Sequence, residues 1–158
     1  GELARRVVSD TAQLDDHPVR VRADAVMVEV DPSKVERVIE NLLVNAARYT
    51  PPGTAVLVQI TARPDGIDLV VEDDGPGIPD ELKDVLFEPF RQGEDSSGRG
   101  MGIGLSLVQR FAELHGGSAR IEDAATGGAR FVVELPGAVT PLGKATDGLV
   151  AEPQLHAV

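Results

Sequence analysis

Hydrophobic positions change their period several times along the chain, and each change marks an element. Leu3, Val7, Val8 and Leu14 recur at mostly helical intervals, which predicts a helix over residues 2–14. Val19 and Val21 alternate with Arg20 and Arg22, the pattern of a short half-buried strand, and residues 25–30 are a second β-prone run. Asp31-Pro32 has the form of an N-cap followed by proline at the first helical position. The helix it opens is expected to run to about Tyr49 and to stop at Thr50-Pro51-Pro52-Gly53. Residues 54–63 and 67–72 are rich in Val, Ile and Leu around Pro64-Asp65-Gly66, which predicts a hairpin. A short helix is expected from Pro79-Asp80-Glu81. Residues 87–101 are polar and glycine-rich without periodicity, the pattern of a mobile segment. Residues 102–114 read as a helix with Gly116 placed to cap it, and 118–122 with 129–135 as a last pair of strands. After Pro136 no pattern remains, so residues 138–158 are expected to be a disordered tail, with Leu142, Leu149 and Leu155 as points of transient docking. Strands interspersed with three or four helices imply an α+β sandwich, one mixed sheet under a helical layer.

Within the long helix, Val35, Val38, Ile39, Leu42, Leu43 and Ala46 share one face at about 100° per residue. Asn41, Asn45 and Arg48 form a second stripe about a quarter-turn away, at the rim between core and solvent. A carboxamide oxygen is a neutral hard ligand suited to Mg²⁺. Arg48 suits a bidentate grip on phosphate, and Tyr49 offers a flat surface with a polar tip. The plainer reading is a helix edge making local hydrogen bonds. Asp73-Asp74-Gly75-Pro76-Gly77-Ile78 follows an apolar strand. Its glycines permit a turn and close approach of a ligand to the backbone, and a carboxylate there can accept from an exocyclic amine, favouring adenine over guanine. Taken alone, it is an ordinary turn with solvated acids. Gly98, Gly100, Gly102 and Gly104 alternate just before an amphipathic helix. Unobstructed N–H groups at a helix start bind phosphate. No Gly-Lys-Ser/Thr follows, so the run is not a P-loop, and the strand and tight turn of a dinucleotide fold are missing. A flexible linker is the alternative.

The chain has 158 residues, net charge −11, 42% apolar residues, 3% aromatics and no cysteine. That size suits one domain with a real core. The negative charge and scarcity of aromatics argue against nucleic acid as a partner, and the absence of cysteine excludes disulfides and thiolate chemistry. His17, His115 and His156 lack metal-ligand spacing, which argues against a zinc site. His17 reads as a surface histidine, His115 as a structural one at a helix C-terminus that favours a cation, and His156 as a solvated tail residue. No stretch approaches the roughly 20 apolar residues of a membrane span, so no membrane contact is expected of this segment. Starting without an initiator Met or signal peptide, the chain is expected to be a fragment of something longer, with any upstream membrane anchor out of view.

Taken in order, these motifs resemble the catalytic, ATP-binding domain of bacterial two-component sensor histidine kinases. That family shares its Bergerat-type fold with type II topoisomerase, heat-shock chaperone and mismatch-repair ATPases. The likeness covers roughly residues 1–136, within an ATP-binding catalytic domain expected over residues 1–137. It rests on an Asn box at 40–49, a first glycine box at 73–77, Phe87-Glu88-Pro89-Phe90, a second glycine box at 100–105, and Gly127-Gly128-Ala129-Arg130-Phe131. The resemblance implies a two-layer sandwich with a mostly antiparallel mixed sheet covered by about three helices. It implies ATP and Mg²⁺ as cofactors. Asn45 would ligate the metal, with Asn41 supporting it or touching phosphate, and Arg48 would face the phosphates as a catalytic group beside Asn45. Tyr49 would lie against ribose and base. Asp73 would read the adenine amino group in a pocket lined by Gly75, Gly77 and Ile78. Residues 87–101 would be a lid, with Arg99 reaching the γ-phosphate. Gly100, Gly102 and Gly104 would follow the phosphates and Leu105 would line the pocket. Ala129 stands where the family often has Thr or Ser, so a hydroxyl near adenine would be missing.

The phosphoacceptor histidine of such kinases lies on an upstream helical hairpin, usually within a dimeric parent, and nothing here resembles it. The implied activity is donation of the γ-phosphate to that separate domain, with a response regulator as downstream partner and a cytoplasmic location, whether or not the parent is membrane-anchored. Two alternatives share the fold: an anti-sigma-type serine kinase and a non-catalytic nucleotide-binding module. The presence of both Asn45 and Asp73 argues against the latter.

Overall fold

The computed structural model describes residues 1–89, 103–142 and 146–151, the last of these as backbone. The first helix, α1 (Glu2–Asp10), buries Ala4, Val7 and Val8. It ends four residues earlier than the periodicity implies, because the Thr11 hydroxyl donates to the Val7 carbonyl at 2.6 Å and the chain tightens into a 3-10 turn at Ala12–Leu14. Leu14 still reaches the core through that turn.

Strand β1 (Val19–Ala23) turns Val19, Val21 and Ala23 inward and Arg20 and Arg22 outward. After β2 (Val26–Val28), helix α2 spans Pro32–Tyr49. Asp31 caps α2, accepting from the Ser33 and Lys34 backbone N–H groups. The buried face of α2 is the predicted one: Val35, Val38, Ile39, Leu42, Leu43 and Ala46. Its length carries the chain back so that β3 (Val56–Arg63) lies parallel to β1, which a short turn could not achieve. A tight turn at Pro64 and Asp65 leads into β4 (Gly66–Asp73), antiparallel to β3. Helix α3 (Asp80–Lys83), a 3-10 turn at Val85–Phe87, helix α4 (Gly104–Leu114) and the hairpin of β5 (Ser118–Asp123) and β6 (Ala129–Pro136) follow. The sheet order is β5-β6-β4-β3-β1-β8, with β8 at Thr146–Ala151 and one parallel pair in the ladder, β1 with β3.

Helices α1, α2 and α4 cover one face, and the core fills the gap with Val21, Val58, Leu69, Val71, Phe131 and Leu135. Among the described residues the other face has no helical cover. There Val70 and Val132 sit opposite one another, between the pairs Glu72–Arg130 and Asp68–Glu134, and are nonetheless buried. Arg130 bonds Glu72 at 2.6 Å, Arg120 bonds Glu134 at 2.7 Å and Arg63 bonds Asp68 at 3.0 Å. These ion pairs lie on the same face as the valines, and each arginine keeps part of its side chain in water.

The expected disordered tail is corrected for part of its length. A strand β7 (Val139–Pro141) pairs antiparallel with β2, and β8 pairs antiparallel with β1. Residues 143–145 and 152–158, including Leu155 and His156, lie outside the described residues. Short runs without alternation become strands here because β1 and β2 offer open edges whose N–H and C=O groups need partners. Leu142, expected as a docking point, is 63% exposed. No described helix is long and apolar enough to cross a membrane.

Candidate functional site

The outer stripe of α2, the end of β4 and the start of α4 converge. Asn41 donates from Nδ2 to its own helix at the Arg37 carbonyl, 2.8 Å away, which turns Oδ1 toward α4. A Cβ placed on Gly104 would lie 3.0 Å from that oxygen, so the first residue of α4 is packed against the Asn stripe. One turn further on, Asn45 is half-buried and Arg48 exposed, and neither side chain hydrogen-bonds another described residue. Tyr49 is 46% exposed. Helix α4 begins without a side-chain cap, so its first N–H groups face outward beside Asn41. Leu105 and Ile78 pack on the edge of the core from the two sides of this opening.

Asp73 is the electrostatic centre. It is 5% exposed, and its Oδ1 accepts from the Gly75 N–H at 2.9 Å and the Ala129 N–H at 3.3 Å. Its other oxygen has no partner among the described residues. Burial raises its pKa above the ordinary carboxylate range, the two backbone donors oppose that rise, and Asp74 and Glu72 add to it. A buried carboxylate with one saturated and one open oxygen is built to accept a donor from a ligand.

The loop before β6 closes the back of this site. Gly128 approaches so tightly that a Cβ there would lie 1.8 Å from the Asp73 carbonyl oxygen. Gly77 has φ +76, and a Cβ there would meet the Gly127 carbonyl oxygen at 2.5 Å. Thr126 donates to Asp74 Oδ1 at 2.9 Å and ties the two loops at their rim. Gly75 backs onto Thr50: its Cβ would lie 2.6 Å from the Thr50 methyl carbon.

The predicted residues therefore gather as follows. Asn41, Asn45, Arg48, Tyr49, Asp73, Gly75, Gly77, Ile78, Gly104 and Leu105 sit on the three converging segments. Phe90, Arg99, Gly100 and Gly102 lie outside the described residues. Phe87, expected to begin a mobile segment, is 8% exposed and packs in the core through its 3-10 turn. His17 is corrected from a surface residue to one 4% exposed, bonded to Thr50 at 3.1 Å. His115 is structural as expected, but not as a free cation at a helix end. Its Nδ1 donates to the Phe111 carbonyl at 2.7 Å and its Nε2 accepts from the Asp31 N–H at 3.1 Å. Sequence reasoning gave Thr50 only as part of a helix stop and assigned Thr126 no part in the site. The one available signal was that Thr50 directly follows the Asn stripe.

Comparison with known proteins gives a consistent result. The family model described as histidine kinase-, DNA gyrase B-, and HSP90-like ATPase matches residues 30–139. Hybrid signal transduction histidine kinase D of Dictyostelium discoideum is 43% identical over 129 residues, which is 77% of this chain and 8% of that protein. Among solved structures, a mycobacterial sensor histidine kinase, MprB, superposes with a TM-score of 0.78 at 32% identity, covering 86% of this chain and 94% of that one. A structure described as the ATP binding domain of PrrB from Mycobacterium tuberculosis has a TM-score of 0.71 at 28% identity, covering 87% of this chain and 93% of that one. The chain spans 8%, 12% and 24% of the length of three curated histidine kinases that it matches.

Proposed function

The chain belongs to the family of histidine kinase-, DNA gyrase B- and HSP90-like ATPases, and from that premise we propose that it is the catalytic domain of a two-component sensor histidine kinase. It binds Mg-ATP and donates the γ-phosphate to a histidine on a separate phosphoacceptor domain of the same, dimeric parent protein. A response regulator is the next acceptor, and the reaction takes place in the cytoplasm. The observation that carries this reading is the buried Asp73, with one oxygen saturated by backbone donors and the other open. Adenine has an exocyclic N–H₂ to offer it; guanine presents a carbonyl oxygen at that position. The solved PrrB fragment, described as an ATP binding domain, supports the same choice of base.

The residues present fit both groups. Gly77 and Gly128 let the two loops behind Asp73 close on each other and hold its carboxylate in place, since a Cβ at either would meet a backbone oxygen, that of Gly127 at 2.5 Å and that of Asp73 at 1.8 Å. Asn45, half-buried and without a bond to another described residue, would hold Mg²⁺, with Asn41 beside it. Bound there, Mg²⁺ supplies charge neutralisation on the phosphate oxygens. Asp73 accepts from the base, Tyr49 covers the ribose side, and Arg48 with the open N–H groups of α4 orients the phosphates. The chain's own contribution is positioning and electrostatic complementarity, as in other phosphoryl transfers.

Calorimetry with ATP, with and without Mg²⁺, tests the metal assignment through Asn45→Ala. Loss of one hard ligand should remove most of the Mg-dependent gain in affinity, about tenfold, while metal-free binding persists. Undiminished Mg²⁺ dependence in the variant would show that the metal is held elsewhere. Ala129→Ser should strengthen ATP binding by about threefold, through one added polar contact beside Asp73. Equal affinity in the two proteins would show that the missing hydroxyl is irrelevant.

A further inference from the structure

His17 is a buried polar residue with no role in the chemistry described above. Its Nε2 lies 3.1 Å from Thr50 Oγ1. Thr50 Oγ1 donates its single proton to the Ala46 carbonyl at 2.7 Å, so toward His17 it acts as acceptor and the imidazole Nε2–H donates. Nδ1 is then an acceptor, buried and without a partner among the described residues. A side chain selected only to fill this space would be apolar and would leave no such atom orphaned.

What the contact achieves is visible on the far side of Thr50. With its hydroxyl held from two directions, the threonine has one rotamer, and its methyl group becomes the wall behind Gly75. A Cβ on Gly75 would lie 2.6 Å from that methyl carbon. The Gly75 N–H is in turn the closer of the two donors on Asp73 Oδ1, at 2.9 Å. The loop carrying His17 is fastened to the same stretch of backbone. Gly53 N–H donates to the Asp16 carbonyl at 2.7 Å and Val56 N–H to the Pro18 carbonyl at 2.9 Å.

We propose that His17 is a positioning residue for base recognition, acting through Thr50 and Gly75 to aim the Asp73 carboxylate. The discrimination of adenine from guanine thereby depends on the segment joining α1 to β1, which supplies none of the pocket's own residues. The discrimination rests on the nucleotide-binding reading; the aiming of Asp73 does not.

The experiment uses the full chain with His17→Leu, His17→Gln, Thr50→Val and the His17→Leu/Thr50→Val double variant. Amide hydrogen exchange at Gly75, measured without nucleotide, reads the aiming directly. It should rise about tenfold in His17→Leu and in Thr50→Val, the loss of one hydrogen bond's worth of restraint, and stay at the parent rate in His17→Gln, which keeps a donor at that reach. Calorimetry with ATP and GTP then gives the ratio of their dissociation constants. That ratio should narrow by about tenfold in the same two variants, recover in His17→Gln, and narrow no further in the double variant. A folded Thr50→Val protein with parental Gly75 exchange would overturn the proposal. So would a folded His17→Leu protein with an unchanged ATP to GTP ratio. Should His17→Leu fail to fold, the isosteric Thr50→Val decides alone. If the parent binds neither nucleotide, the nucleotide reading falls, and Gly75 exchange still decides whether His17 aims the carboxylate.

Discussion

Asp73→Asn should weaken ATP binding by at least about 100-fold, roughly the loss of a hydrogen bond to a charged group plus an opposed donor, yet leave the fold intact. The amide oxygen of Asn can still accept from the Gly75 and Ala129 N–H groups that now hold Oδ1. The open oxygen becomes an N–H₂ group, which meets the adenine amine donor to donor. Toward the guanine carbonyl the same amide is an acceptable partner, so GTP should lose less than ATP.

The stability of this variant has a sign that tests the argument independently. Burial raises the Asp73 pKa above the ordinary value of 3.8. The folded protein therefore holds that proton more tightly than the unfolded chain does. Asp73 favours the fold most below the ordinary carboxylate value, and that contribution is lost as pH rises through the raised value. Asn carries no such dependence. Relative to the parent, Asp73→Asn should be as stable or more so at neutral pH, and its advantage should disappear below about pH 4. Thermal melts from pH 3 to 8 would reveal this. A variant less stable at pH 7 than at pH 4, each relative to the parent, would contradict the burial argument. Nucleotide affinity of the parent should fall as the pH drops through the raised Asp73 value, because a protonated carboxyl no longer offers the base a charged acceptor.

The other large effect is expected from Gly128→Ala. The added methyl carbon would lie 1.8 Å from the Asp73 carbonyl oxygen and 2.7 Å from its carbon, both backbone atoms that cannot swing aside. The turn before β6 would have to withdraw from the end of β4, stretching the bond from Ala129 to the Asp73 carboxylate. A loss of roughly 2–3 kcal/mol, or roughly 5–10 °C in melting temperature, is expected for overpacking of this kind. Gly127→Ala is the control next door. It has φ +90 but nothing within 4 Å of the new carbon, so it carries only backbone strain, about 1 kcal/mol. If the two variants melt together, close approach is not what Gly128 provides. Gly128→Ala should also lose ATP affinity by more than Gly127→Ala, since only the former displaces the base-reading carboxylate.

How much of this was legible in the sequence follows from the range of the interactions involved. Helix α2 could be read nearly to the residue, since its cap, its proline start and its buried stripe are all local signals. The same holds for the β3–β4 hairpin, whereas the grouping of Asn41, Asn45 and Asp73 with Gly104 was an expectation that only the family resemblance supplied. The early end of α1 turns on one hydroxyl at Thr11, too small a signal to read against a continuing apolar period. Strands β7 and β8 owe their pairing to edges created by β1 and β2, which no local pattern of the tail announces. His17 looked like a surface residue because it precedes a proline between two elements. Its burial comes from the return of the chain at Thr50, 33 positions later. Gly128 could be noted as part of a motif, but the 1.8 Å approach to Asp73 is a property of two loops brought together by the sheet.

The ion pairs that share a sheet face with Val70 and Val132 have a mechanical consequence. Paired charges that keep their heads in water make a poor adhesive: any surface pressed against them must first strip their hydration. That wall of the sheet therefore behaves as a lubricated bearing. Under the proposed function, a catalytic unit that must meet an acceptor domain, let go and return gains from a face that does not stick to its neighbours. A second apolar layer on this face would have anchored it.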